Sequence, residues 1–300
     1  MTTSFRKPEP LRNVTNKADK EPAKTTVRLN RIEEVVYRQQ KIGDESQIVM
    51  VDKYSDDIFK YFLSIDKPYT YANEGVPWKM RSLLVDWIID IHEKLGMCHD
   101  TLFLAINLID RFLGLRVIPS SKLQLVGVSA LMIACKYEEV VCPALQTFVL
   151  LTEKTLTDEE VRKAEKYMLH TLNYDLQYVS PLNFLRKCSK ANNYEINSRM
   201  VGKYLLELMT LYEEFLAFKG SIRAATAMYL SRKMTLHDQC KNLFVIYSGH
   251  TKEDIRECFI ALVRIIGGDI PFENIQNKYN LPKFFHVSSF VKEYSKKHFR

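Results

Sequence analysis

Four charged residues stand inside apolar helical runs. Arg81 and Asp86 lie in Met80-Arg81-Ser82-Leu83-Leu84-Val85-Asp86-Trp87, Asp110 in Asn107-Leu108-Ile109-Asp110-Arg111-Phe112-Leu113, and Lys136 opens Lys136-Tyr137-Glu138-Glu139. A charge so placed is costly unless it is paired or has a partner outside the fold. The chemistry these residues offer is therefore pairing and recognition. Motifs for catalysis are missing. His92-Glu93 starts like HExxH, but Gly96 occupies the place of the second histidine and His99 is out of register. Cys98-His99 has no second ligand pair at zinc-finger spacing. GxGxxG, GxxxxGK[ST] and GxSxG do not occur, and no spacing pairs a cysteine with a histidine as nucleophile and base. No enzyme activity, metal or cofactor is expected.

The elements that must hold these charges read as helix after helix. Helical spacing of apolar residues predicts segments at 52–64, 78–94, 101–115, 121–139, 143–152, 157–173, 181–190, 194–216, 220–236, 239–247, 251–267 and 287–298. No stretch alternates as a half-buried strand does, and Gly, Pro, Asn or Asp mark the short connections. The fold class is all-α. Residues 1–45 lack hydrophobic periodicity and read as a disordered tail. The net charge of +7 resides at the ends: residues 1–41 carry 10 Lys/Arg against 5 Asp/Glu, and 278–300 carry 6 against 1, leaving 27 against 30 between them. No apolar run is long enough to span a bilayer, and the basic N-terminus is unlike a secretory signal. The six scattered cysteines read as mostly buried free thiols in a reducing compartment.

The chain repeats itself at an interval of about 95 residues. Phe148-Val149-Leu150-Leu151 precedes Thr157-Asp158-Glu159-Glu160-Val161-Arg162; Phe244-Val245-Ile246-Tyr247 precedes Thr251-Lys252-Glu253-Asp254-Ile255-Arg256. Each threonine begins a helix, with an acid three residues on as in a capping box. Leu169 and Leu172 correspond to Val263 and Ile266. A helix of small residues also recurs, with Gly127, Ser129, Ala130 and Ala134 in one copy and Ala224, Ala225, Ala227 and Ser231 in the other. Small residues let helices approach closely, as the centre of a bundle requires. Two bundles of one plan follow, at about 70–175 and 176–270. With a leading helix and the final segment, the domains run 46–175 and 176–300.

Two surfaces read as interfaces. On the helix from Pro77, Met80, Leu84, Trp87 and Ile91 share a face that Leu83, Val85, Ile88 and Leu95 widen beyond a single stripe. One side suits the core and another, with Met80, Leu83 and Trp87, a short peptide. At Lys136-Tyr137-Glu138-Glu139, two glutamates oppose the helix dipole, so a partner is expected to supply positive charge or backbone donors.

From Met80 to Leu182 the chain resembles a cyclin box. MRSLLVDW, NLIDRFL, SKLQLVG, IACKYEE, AEKYMLHTLNYDL and SPLNFLRKCSKA occur in family order and spacing. The segment from Tyr137 to Leu176, with YLLELMTLYEEFL beyond it, is most similar to B-type mitotic cyclins of fungal kind, and a weaker likeness extends to about residue 298. The resemblance implies two tandem five-helix folds behind an N-terminal helix. It implies a regulatory subunit that binds and activates a cyclin-dependent kinase as a heterodimer, controls entry into mitosis, and resides in nucleus and cytoplasm. Kinase-binding roles are implied for Lys136, Glu165, Tyr137, Tyr174 and Leu125, and for Tyr54, Ile58 and Tyr61 of the leading helix. A patch receiving Arg-x-Leu peptides of substrates or inhibitors is implied at Met80, Leu83, Leu84, Trp87, Leu123 and Gln124, with Asp90 as its acid. Arg81 and Asp110 are implied as structural charges.

B-type cyclins commonly carry the destruction box RxxLxxxxN, through which ubiquitin-ligase machinery acts. Leu11 and Asn16 have its spacing, but Pro8 stands where the arginine belongs, so a degenerate box is expected. The alternative reading is a paired-cyclin-fold transcription factor. The near-neutral body argues against DNA, which needs several Lys/Arg phosphate contacts on the folded surface.

Overall fold

Small residues decide which helix sits at the centre of each bundle. The computed structural model describes residues 52–68, 75–153, 155–192, 194–235 and 247–299, all within the unit Met50–Arg300. Leu11, Asn16, Cys240 and nearly all of the expected 239–247 helix lie outside them. Twelve α-helices and no strand occur among the described residues: α1 Asp52–Ile65, α2 Trp78–Lys94, α3 His99–Leu115, α4 Leu123–Glu138, α5 Leu145–Leu151, α6 Asp158–Thr171, α7 Pro181–Ser189, α8 Ile196–Met209, α9 Gly220–Thr235, α10 Lys252–Gly267, α11 Glu273–Tyr279 and α12 Val287–His298.

α4 packs on α2, α3, α5 and α6, and α9 packs on α7, α8 and α10. These are the two small-residue helices of the repeat. At Gly127 an added Cβ would stand 2.8 Å from Leu84 Cδ1, so a side chain there would have to push the Leu84 tip aside where α2 and α4 meet. Both capping boxes form. Thr157 Oγ1 accepts from Glu160 N while Thr157 N donates to Glu160 Oε2; Thr251 and Asp254 do the same for α10. Leu172 and Ile266, equivalent in the repeat, are both buried.

α1 is anchored by Phe59 and Phe62, whose rings lie 6.4 and 6.3 Å from that of Phe184 on α7. Beyond α1, Asp66 accepts 2.9 Å bonds from Gly220 N and Ser221 N and so caps α9.

The expected helix 194–216 is two pieces. α8 ends at Met209, and a 3-10 turn covers Glu213–Ala217. Carbonyls that would continue the helix are taken by α2: Thr210 O by Arg81 Nη1, Leu211 O by Trp78 Nε1 (3.1 Å) and Ser82 Oγ (2.8 Å). α11 was not expected at all. Seven residues carry little periodicity, and the cap that starts this helix comes from Asp86, far away in sequence.

Candidate functional site

Three of the four misplaced charges are answered inside the fold. Arg81 Nε and Nη2 donate to Asp110 Oδ1 and Oδ2 at 2.8 and 2.7 Å, with both side chains buried. This two-pronged geometry joins α2 to α3, and the contact with Thr210 O extends it to the end of α8. The guanidinium also lies 4.4 Å from the Trp78 ring centroid. Asp86 Oδ1 accepts from Ile275 N at 3.1 Å, and Oδ2 from Asn274 N and Nδ2 at 3.3 and 3.1 Å. It is the N-terminal acid of α11. Burial pushes its pKa up against the lowering effect of those bonds.

Lys136 is different. Its Nζ lies 2.5 Å from Glu165 Oε1, yet its side chain is 51% exposed. The pair links α4 to α6 and leaves about half of the lysine side chain exposed. Beside it Tyr137 is exposed, and Val140 and Val141 are almost fully so. An exposed apolar pair beside a charged pair is the surface signal that the sequence reading passed over. Leu125 is half-buried against the core. Tyr174 is exposed and has φ 57°, directly after Asn173 at φ 51°. Two successive left-handed residues turn the chain sharply out of α6. On α1, Tyr54, Ile58 and Tyr61 are exposed, and Gln177 Nε2 donates to Tyr61 Oη, tying α1 to the segment that follows Tyr174.

The residues of the expected peptide patch divide by depth. Leu83 is 55% exposed; Met80 and Trp87 are half-buried; Leu84 and Leu123 belong to the core. Gln124, also half-buried, accepts from Thr155 Oγ1 at 3.1 Å. Asp90 pairs with Lys94 at 2.6 Å, one turn on along α2. Of the residues expected there, Met80, Leu83 and Trp87 are accessible, and Leu84 and Leu123 are buried.

The expectation for the two glutamates needs correction. Glu139 Oε1 accepts from Cys98 N at 2.7 Å and Thr101 Oγ1 at 2.6 Å. It caps the start of α3, and its donors come from its own bundle. Partial burial disfavours its charge, but the bonds outweigh that and hold its pKa below the usual value. Glu138 has no such cap role, and burial raises its pKa. Cys98 is also exposed, whereas Cys135, Cys188 and Cys258 are buried thiols as expected.

A second buried network escaped the sequence reading. Glu207 on α8 accepts from Lys278 Nζ at 2.8 Å and Tyr279 Oη at 2.7 Å, both on α11, and His99 Nε2 of α3 lies 3.7 Å away. Burial disfavours the Glu207 charge, yet Lys278 and His99 outweigh it and lower the pKa. Burial also takes His92 and His99 down to about 4. His92 Nε2 is bonded to Cys98 O at 2.7 Å. These groups fasten α11 and α8 to the first bundle. Among the described residues no group of three or more His, Cys, Asp or Glu could hold a metal ion, and no helix is long and apolar enough to cross a membrane.

Comparison with known proteins matches residues 57–177 to the cyclin N-terminal domain and 179–293 to the cyclin C-terminal domain. The G2/mitotic-specific cyclin cdc13 of Schizosaccharomyces pombe is 39% identical over 260 residues, 85% of this chain and 54% of that protein. The G2/mitotic-specific cyclin-B of Emericella nidulans is 38% identical over 256 residues, 83% of this chain and 54% of that protein. The chain spans about half the length of these relatives. Among solved structures, a viral cyclin from herpesvirus saimiri superposes with a TM-score of 0.61 at 15% identity, covering 70% of this chain and 96% of its own. That likeness concerns the fold alone. The transcription-factor reading gains no support from any of these proteins.

Proposed function

The chain belongs to the cyclin family, and from that premise we propose that it is a kinase-activating subunit working at entry into mitosis. The observation that carries this reading is the half-open Lys136–Glu165 pair beside exposed Tyr137, Val140 and Val141. Its relatives are named G2/mitotic-specific cyclins, which favours the mitotic assignment.

The subunit performs no chemistry of its own. It binds one conformation of a cyclin-dependent kinase better than another and shifts the population. An active kinase needs its strand lysine paired with a glutamate on its regulatory helix. Packing of Tyr137 and the α1 residues Tyr54, Ile58 and Tyr61 against that region would hold the helix in place. Lys136 and Glu165, with their outward-facing bonding capacity, would meet kinase backbone groups. Bringing a rare active state to near-complete occupancy takes roughly 5.5 kcal/mol of differential binding. Substrate or inhibitor peptides of the Arg-x-Leu type would dock over Met80, Leu83 and Trp87, the arginine approaching Asp90. The division into domains near residue 175, the presence in nucleus and cytoplasm, and recognition of Leu11 and Asn16 by ubiquitin-ligase machinery belong to the same proposal. A pull-down with a cyclin-dependent kinase tests it, comparing the intact chain with Lys136→Ala/Glu165→Ala. The intact chain should capture and activate the kinase and the variant should not; failure of both sinks the reading.

A further inference from the structure

Three cysteines gather where α3 begins and α4 ends. Cys135 is buried in the last turn of α4. Past the end of that helix, Cys142 folds back against the same core and stays half-buried. The Cys135 and Cys142 side chains are hydrogen-bonded to each other, so the loop has already brought the two sulfurs together. Cys98, just before α3, is close enough to act on Cys135 electrostatically, but its Sγ is engaged by Thr101 Oγ1 at 3.1 Å. All three are free thiols. Burial, and then the neighbouring Cys142, push the Cys135 pKa well up, so this sulfur keeps its proton. Cys142 is the accessible member and Cys135 the sheltered one, the arrangement of a sensing thiol beside a resolving thiol. The two bracket residues 136–141, which include the half-open Lys136, the exposed Tyr137, Val140 and Val141, and the Glu139 that caps α3.

We propose that Cys135 and Cys142 form a peroxide-responsive pair, whose disulfide closes a ring around residues 136–141 and so weakens kinase capture. The thiol chemistry stands by itself; its effect on the kinase rests on the function proposed above. The Cys142 sulfur, as thiolate, attacks one oxygen of hydrogen peroxide. An S–O bond forms, the O–O bond breaks, and the hydroxide released takes up the Cys142 proton as water. The Cys135 sulfur then attacks the sulfenic sulfur of Cys142. The S–S bond forms, the S–O bond breaks, and hydroxide leaves with the Cys135 proton as a second water. Two electrons pass from the two sulfurs to one peroxide. A dithiol reverses the change by exchange, as a transient disulfide in a reducing compartment requires. The ring is short and its ends already meet, so closure orders little further chain. Turning a contact into a bond draws Cys142 toward α4, and Val140 and Val141 shift with it relative to Lys136 and Tyr137.

The test treats the reduced full chain with a small excess of hydrogen peroxide, removes the peroxide, caps remaining thiols with N-ethylmaleimide and digests with trypsin. Cleavage after Lys122, Lys136 and Lys154 puts Cys135 and Cys142 on separate peptides, 123–136 and 137–154, with Cys98 on 95–111. Mass spectrometry should show 123–136 joined to 137–154, lighter by two hydrogens than their sum, and dithiothreitol should part them. Cys142→Ser should abolish the joined pair and leave Cys135 unoxidised, whereas Cys98→Ser should keep it. In surface plasmon resonance against a cyclin-dependent kinase, the oxidised chain should bind at least tenfold more weakly than the reduced chain. Cys142→Ser should bind like the reduced chain, with or without peroxide treatment. No joined pair in the unaltered chain, a link through Cys98 in its place, or equal kinase affinity of the two redox forms overturns the proposal. A reduced chain that captures no kinase sinks the kinase assignment, and the joined peptides then decide the thiol pair by themselves.

Discussion

Two ion pairs in the first bundle join the same kinds of charge and differ in how far the fold encloses them. Arg81–Asp110 and Lys136–Glu165 each join a cation to a carboxylate 29 residues away, and each cation stands in an apolar helical run. Arg81 is fully buried, held at both prongs and extended to Thr210 O of the second bundle. Lys136 is half exposed and held by one contact. The first pair is complete within the chain. The second has bonding capacity left over, at the end of a helix where apolar side chains also face outward. What separates a charge enclosed by the fold from one left half open is therefore where the helix carries it. Arg81 lies against a second bundle, and Lys136 lies past the end of the packed surface.

The largest effect should come from breaking the finished pair. Arg81→Met takes away the two-pronged partner of a carboxylate that stays buried, and removal of one member of such a pair costs about 3–5 kcal/mol. Thermal unfolding followed by circular dichroism should show a fall in Tm of many degrees. Replacing both residues, as Arg81→Met/Asp110→Leu, should recover part of the loss, because no charge is then stranded. A single variant that costs as little as a surface substitution would erase the contrast.

Acid should act next, through the other buried network that joins the bundles. His92 and His99 fall from an ordinary 6.5 to about 4 because burial disfavours their charged forms. Between those values the unfolded chain binds more protons than the folded one, so stability is present above pH 6.5 and drains away as pH falls toward 4. Glu207, its pKa lowered in the folded chain, acts in the same direction below about 4.5. Asp86, raised by burial, opposes it weakly. Together the histidines should account for several kcal/mol of loss, and His99→Gln should flatten the denaturant midpoint between pH 6.5 and 4. An unchanged slope would remove His99 from the network.

Much of this architecture is visible in the residues themselves. Periodicity finds most of the helices because their apolar stripes are local properties. The capping boxes and the small-residue helices are equally local, so α4, α6, α9 and α10 could be placed. The interruption after Met209 and the existence of α11 could not. Both depend on α2, whose Arg81, Trp78 and Ser82 claim carbonyls at 210–211 and whose Asp86 starts α11. Glu207 with Lys278 is invisible for the same reason: the two meet only after their helices dock. The polarity of Lys136-Tyr137-Glu138-Glu139 marked it as unusual, but only the fold separates the glutamate used internally from the groups left facing out.

The open pair should show the reverse of the buried one. Lys136→Ala should change stability by no more than about 1 kcal/mol, as exposed pairs do. In surface plasmon resonance against a cyclin-dependent kinase it should lose roughly 30-fold in affinity, about 2 kcal/mol, the scale of an interface hot spot. A stability loss as large as that of Arg81→Met, or unchanged kinase affinity, would collapse the distinction between the pairs.

The finest test of the comparison lies within two adjacent residues. Glu139 accepts from Cys98 N and Thr101 Oγ1 at the start of α3, whereas Glu138 faces outward beside Tyr137. Glu139→Ala removes a cap and should cost about 1 kcal/mol in urea denaturation. Glu138→Ala removes a charge that burial already disfavours, and should fall within about 0.5 kcal/mol of the parent chain. Amide hydrogen exchange locates the difference: the first turn of α3 should lose protection in Glu139→Ala and keep it in Glu138→Ala. If both variants leave that turn protected, the start of α3 is held by Cys98 and Thr101 alone. Glu139 would then rejoin the outward-facing group of Lys136.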